Sequence, residues 1–394
     1  MPIQKLLVVA TPCSIKTRVQ MNIPLFILIG VMAVALTPHS RAQEIPPDRL
    51  NTVIEALLRL GPDSVGANPK LQEALKKVIA ASRGTERFVE LVGTFHLTNQ
   101  SPALIELASS KPNNSAGVAA ANLLLANKET ESLAKNLATA KEAQAANLAR
   151  ALGNTGKGGI VQILLPLLSD DLKRPAVQKE ALRALVNSKA GAEAIVALAK
   201  SDRIPDSLKL TAAMELNGVR WADIKKAAAE LLPLPQGQGG KSLPPIAQLI
   251  QRKGDIANGM SVFNREIIAC NRCHAINGLG TDFGPGLSEI GSKLTKEALY
   301  ESILNPSGGI SMGFEAWTIE TKDNDEFFGI IVSDTDKEVA LKQVGGLVTK
   351  IARTNIAHRQ KSGLSSMPAG LQQLMTELEI VDLVEYLASL KKAN

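Results

Sequence analysis

Cysteine is scarce. The chain has three in 394 residues, and Cys13 lies close to the N-terminus. The other two, Cys270 and Cys273, make a single pair, which excludes a disulfide-stapled scaffold and a four-thiolate zinc site. A mixed zinc site would have to recruit His96 or His358 from far along the chain. Aromatic residues make up only 3% of the sequence. Between His96 and Val262 the only one is Trp221, whereas eight follow: Phe263, Phe283, Tyr300, Phe314, Trp317, Phe327, Phe328 and Tyr386. So abrupt a change predicts a domain boundary before Phe263. Acidic residues are absent before Glu44. Much of the net charge of +6 comes from Lys5, Lys16, Arg18 and Arg41 in that stretch. The remainder carries too little excess charge to argue for nucleic acid or an anionic membrane as partner.

The acid-free N-terminus has an order of its own. Lys5, Lys16 and Arg18 precede an apolar run from Ile23 to Leu36. Ser40 and Ala42 then place small residues at −3 and −1 of a cleavage point. This is the three-part pattern of a secretory signal, over residues 1–42, with the cut before Gln43. The run is short for a membrane helix, which needs about 20 residues. Left uncut, it would instead be an N-terminal anchor. The expectation is a periplasmic or otherwise exported protein with no integral membrane span after cleavage.

From 47 to 233 the sequence is rich in Ala and Leu at helical spacing. Leu148 to Asn154 resembles Ala181 to Asn187, and Ala212 to Leu216 continues the series at a period in the low thirties. Between these lie Ile160 to Leu168, Ala192 to Lys200 and Ala222 to Leu232, each a candidate partner helix. Two short helices per period read as an α-solenoid similar to HEAT-like repeats, which offers either a concave docking surface or a plain spacer. His96 stands alone here and reads as a surface or satisfied core residue. A linker is expected over 234–253, where Pro235 and Gly237, Gly239 and Gly240 end helical structure.

Residues 270 to 274 read Cys-Asn-Arg-Cys-His. C-x-x-C-H is the attachment signature of c-type haem. The thiols of Cys270 and Cys273 bind the haem vinyl groups, and His274 becomes an axial ligand of the iron. The alternative for a lone C-x-x-C is a redox dithiol. In cytochromes c the first and last helices cross at a Gly facing an aromatic. Gly259 and Phe263 on a first helix, with Leu383 and Tyr386 on a last one, would supply that contact. Pro285 follows His274 at the distance where a Pro carbonyl accepts the imidazole Nδ1–H and fixes its tautomer.

For the sixth ligand the loop Ser365-Ser366-Met367-Pro368-Ala369-Gly370-Leu371 offers Met367. Its separation from His274 is about twice what a compact cytochrome c needs. An insertion explains the excess. Residues 313–356 carry four β-like runs separated by Asp323-Asn324-Asp325, Asp334-Thr335-Asp336 and Gly345-Gly346, which predicts a four-stranded antiparallel meander or small barrel. Met312 and Met375 are competing thioethers. Met375 falls in the pattern of the last helix and reads as core. His358 would give bis-His ligation.

Taken together, residues 254–394 resemble the haem-binding domain of the Planctomycetes and Verrucomicrobia type. The resemblance rests on C-x-x-C-H, Gly278-Leu279-Gly280, and Gly284-Pro285-Gly286-Leu287-Ser288-Glu289-Ile290-Gly291. It continues in Glu301-Ser302-Ile303-Leu304-Asn305-Pro306-Ser307, Ser365 to Leu371, and Asp382-Leu383-Val384-Glu385-Tyr386-Leu387. Gly286, Met312 and Phe314 depart from the residues usual in that family. The resemblance covers about a third of the chain and implies His274 and Met367 as axial ligands of one covalent haem c iron. Members are often fused to a dehydrogenase-like β-propeller, for which this chain has no room. The expected fold is mainly α: a HEAT-like solenoid, then a cytochrome c-like helical domain with an inserted small antiparallel β unit. The expected function is one-electron transfer, without enzymatic activity, to a separate redox partner such as a periplasmic dehydrogenase or terminal acceptor. The alternatives are a haem-based sensor or interaction protein and a haem peroxidase-like enzyme.

Overall fold

Alanine-rich periodicity becomes a run of short, separately capped helices. In the computed structural model residues 47–169, 171–235, 242–323 and 325–392 are described. The expected signal segment and its cut lie outside the described residues, as does the centre of the expected linker. The fold is mainly helical with a small antiparallel sheet. Among the described residues no helix is long and apolar enough to cross a membrane.

Side-chain oxygens start several of the first helices. Asn68 caps Pro69–Ser82, Thr85 caps Glu86–Thr94, Asn114 caps Ser115–Ala126 and Ser188 caps Lys189–Lys200. Each accepts from an amide that the first turn leaves without a partner. The helices Glu142–Gly153, Pro175–Leu185 and Asp206–Asn217 pack one against the next, and Lys189–Lys200 packs on Ala222–Leu231. Ala149, Leu152, Ala181, Leu185, Ala212 and Leu216 are fully buried between them. Small residues set the spacing. A methyl on Gly153 would stand 2.5 Å from the Ala184 Cβ. The expected partner helix over Ile160 to Leu168 is instead broken into a 3₁₀ turn Gly158–Ile160, one α turn Val161–Leu164 and a second 3₁₀ turn Leu165–Leu168. Pro166 is the cause, since it has no amide hydrogen for an α-helical bond.

A second apolar core begins at Leu249 and runs to Leu387, separate from that of the first helices. At its centre Ile256–Asn264 crosses the last helix, Glu377–Ser389. A methyl on Gly259 would stand 2.0 Å from the Asp382 carbonyl oxygen, so only glycine permits this approach. One turn on, the Phe263 and Tyr386 rings meet edge to face at 6.0 Å. The buried Asp382 carboxylate accepts from the Asp255 amide and from Asn258 Nδ2, both at 2.7 Å. These bonds fix how far one helix can slide on the other. A capping box of Thr376 and Glu379 starts the last helix.

Strands β1 (Ala275–Ile276) and β2 (Leu279–Gly280) form a minimal hairpin. Asn277 and Gly278 both have positive φ, at 51° and 78°, as a two-residue type I′ turn requires. The larger sheet contains β3 (Ala316–Thr321), β4 (Glu326–Asp334), β5 (Glu338–Lys342), β6 (Val348–Ala352) and β7 (Ile356–Lys361). Its order is β6-β5-β4-β3-β7, all antiparallel. Its own small core is Ile319, Val339, Leu341 and Ile351. The expected meander therefore has a fifth strand and reaches Lys361. Strand β7 is mostly polar and lacks the run of β-formers that marks a strand. It pairs because β3 has an open edge. There the Arg359 guanidinium lies 5.3 Å from the Trp317 ring centre and 2.9 Å from Asp334. Charged side chains suit an edge that must not recruit another strand.

Candidate functional site

The pentapeptide Cys270 to His274 begins in strained backbone. Ala269 adopts φ 51°, and Cys270–Arg272 form a single 3₁₀ turn. The turn is closed by the Cys273 and His274 amides, which donate to the Cys270 carbonyl at 3.1 and 2.9 Å. The Phe283 and Gly284 amides then donate to the Cys273 carbonyl at 3.1 and 2.6 Å. This folds the chain after the hairpin back over the motif and brings Pro285 beside the imidazole.

His274 Nδ1 lies 2.7 Å from the Pro285 carbonyl oxygen. A carbonyl only accepts, so Nδ1 carries the hydrogen. Burial holds the imidazole below its usual range, against the raising effect of that hydrogen bond. A neutral ring with Nδ1–H presents the Nε2 lone pair as a donor. Gly284 packs directly on the ring. A methyl there would stand 2.8 Å from Cε1, 3.1 Å from Nδ1 and 3.3 Å from Nε2. Nothing in the sequence beyond Gly-Pro marks this contact.

The imidazole belongs to the wall of a cleft that Cys270, Pro285 and Met367 also line. The cleft has a volume of about 190 Å³. Its walls are largely apolar, with Phe263, Phe283, Leu299, Ile303, Phe314 and Leu383 among them. Met367 is half-buried on its loop. Its amide donates to Ser365 Oγ, and the Ser365 amide donates to Ser307 Oγ, both at 3.1 Å. The loop is thus tied to the Asn305-Pro306-Ser307 turn across the cleft.

The cleft brings together four of the five cofactor-binding residues expected from the sequence. Cys273 is half-buried beside it and is not part of the lining. Burial pushes the Cys270 thiol up to about 12, and burial also raises Cys273. Met375 is only 1% exposed and belongs to the core, but it also lines the cleft. It precedes the last helix rather than lying within it, because Thr376 is the cap. Met312 is 92% exposed and outside the lining. His358 is exposed on β7 opposite Glu320, also outside the cleft, and His96 is exposed with φ 46°.

Among the described residues no group of three or more His, Cys, Asp or Glu side chains is placed to hold a bare metal ion. What the cleft offers is one imidazole nitrogen, two thioethers and a thiol, a set of borderline and soft donors in apolar surroundings. Comparison of the chain with protein families and with curated proteins finds no match in either.

Proposed function

We propose that the chain is an exported c-type cytochrome that carries single electrons between redox partner proteins. The observation that carries this reading is the His274–Pro285 hydrogen bond at the wall of an apolar cleft that Cys270 and Met367 share. In the proposed mechanism Cys270 and Cys273 would hold the haem by thioether bonds, and His274 and Met367 would ligate its iron, with Pro285 fixing the His274 tautomer and Gly284 its tilt. Bound haem would supply the one-electron couple. The chain's own part is to present these two side chains, exclude water with the apolar walls, and hold the imidazole and the Met367 loop in place so that little must move when charge changes.

The donor set fits a haem. A porphyrin brings four nitrogens of its own, so the protein would need to supply only iron ligands and apolar walls, which the lining contains. On this reading residues 254–394 form a haem domain like the Planctomycetes and Verrucomicrobia type, interrupted by a β unit. Residues 47–233 form a HEAT-like solenoid, for which the row-on-row packing of its helices is the support. With His274 and Met367 both ligating the iron, the protein would be an electron carrier rather than an enzyme.

Carbon monoxide tests the assignment. The ferrous protein should bind it poorly, and Met367→Ala should bind it readily. Ready binding by the wild type would overturn the carrier reading and favour a gas sensor or a peroxidase-like enzyme.

A further inference from the structure

One of the two residues between the cysteines of the motif is held from outside. Arg272 Nη1 lies 2.8 Å from Glu215 Oε1, and Glu215 belongs to the helix Asp206–Asn217 of the first helical region. The same carboxylate oxygen accepts from Arg183 Nε at 3.2 Å. Arg183 reaches Glu266, just before the motif, at 3.2 Å, and Lys179 reaches the same carboxylate, also at 3.2 Å. Arg183 further pairs with Glu180 at 2.7 Å, which pairs with Arg150 at 2.9 Å. The charges therefore run in alternating sign from the helix Glu142–Gly153, across Pro175–Leu185 and Asp206–Asn217, to the motif itself.

At the centre of this array the side chains of Glu180, Arg183 and Glu215 are only 12%, 17% and 17% exposed, while Arg272 and Glu266 at its motif end are 43% and 63% exposed. Solvent screens the central charges weakly, so their fields reach farther than those of exposed pairs.

We infer that Glu215 is a positioning residue of the haem site: through Arg272 it holds the Cys270–Cys273 turn against the helical region, and its charge sets part of the field at the haem. The inference rests on the haem reading above. Its chemistry has a definite sign. Reduced haem iron carries one positive charge fewer than oxidised iron. Removing the negative charge of Glu215 leaves Arg272 and Arg183 less compensated, which favours the reduced form. Removing the positive charge of Arg272 favours the oxidised form.

The test is a redox titration of the full-length haem-loaded protein, followed by absorption, for wild type, Glu215→Gln, Arg272→Gln and the double variant. Glu55→Gln, in the helix Pro47–Gly66, serves as a control for net charge. Glu215→Gln should shift the midpoint upward and Arg272→Gln downward, the double variant should return toward wild type, and Glu55→Gln should leave it unmoved. Shifts of equal sign, no shift, or a matching shift in Glu55→Gln would overturn the inference. Denaturing gels with haem staining, run in parallel, show whether haem is attached. If none is, the haem reading has failed, and thermal unfolding of the same variants still tests the clamp. There each single variant should lose stability and the double no more than the worse of the two, whereas additive losses would show that Glu215 and Arg272 do not act as a pair.

Discussion

Replacing Gly284 by Ala should loosen the imidazole without touching any ligand. The added methyl would begin 2.8 Å from His274 Cε1. Carbon atoms rest at about 3.5–4.0 Å, so the ring or the main chain must yield by roughly 0.7 Å or more. The Nδ1 to Pro285 distance is 2.7 Å. A displacement of that size away from the carbonyl would carry it past the ~3.2 Å limit of a good N–H···O bond. Overpacking of this kind costs about 1–3 kcal/mol, and a lost hydrogen bond adds about 1 kcal/mol. Gly286 provides the control. It has nothing within 4 Å of where a methyl would go and no positive φ, so Gly286→Ala should be neutral or slightly stabilising. The assay is reversible denaturant unfolding of both variants, with the absorption spectrum of the haem-loaded protein as a second readout. A loss of roughly 2–4 kcal/mol and an altered ligand-field spectrum are expected for Gly284→Ala alone. Equal stability of the two variants, with unchanged spectra, would refute the claim that Gly284 sets the ring.

Met375→Ala should destabilise by about 2–5 kcal/mol, since it opens a cavity in the core, yet keep the thioether–iron absorption band that Met367→Ala loses. Loss of the band in Met375→Ala alone would move the ligand to that residue. His358→Ala should change neither stability nor spectrum, because the side chain is exposed on an edge strand. Asp382→Ala strands the Asp255 amide and the Asn258 amide group, and should cost about 3 kcal/mol in denaturant unfolding, with Asp382→Asn losing less. Arg220→Lys should cost about 1–2 kcal/mol although charge is kept. The Arg220 guanidinium lies 4.1 Å from the Trp221 ring centre and 5.1 Å from that of Phe328, a contact that an ammonium on a flexible stem does not reproduce.

Much of the architecture was legible because local chemistry agreed with the final packing. Gly345-Gly346 separates β5 from β6 as the β-like runs required, and Gly259 met the last helix where the two patterns suggested. Pro166 is legible too: a proline inside an apolar run breaks the helix that the run promises. Strand β7 was illegible for a different reason. Its identity comes from a vacant edge on β3, a tertiary fact, and its own residues favour solvent. At the site, Cys270, His274, Pro285 and Met367 could be picked out by type and spacing. Gly284 against the ring and Glu215 on Arg272 could not, since each is defined by a partner brought close only by folding. For Glu215 the weak signal was the repeat itself, with Arg150 and Arg183 in matching positions of successive helices and an acidic residue one helix on.

Covalent haem attachment at Cys270 and Cys273 underlies every role proposed for the site. Intact-mass measurement of the protein purified from an exporting host, under acid denaturing conditions, tests it directly. One species heavier than the polypeptide from Gln43 by one haem is expected, reduced to the bare polypeptide when both cysteines are replaced by Ala. A wild-type protein that flies as bare polypeptide, with any haem released free, would contradict it.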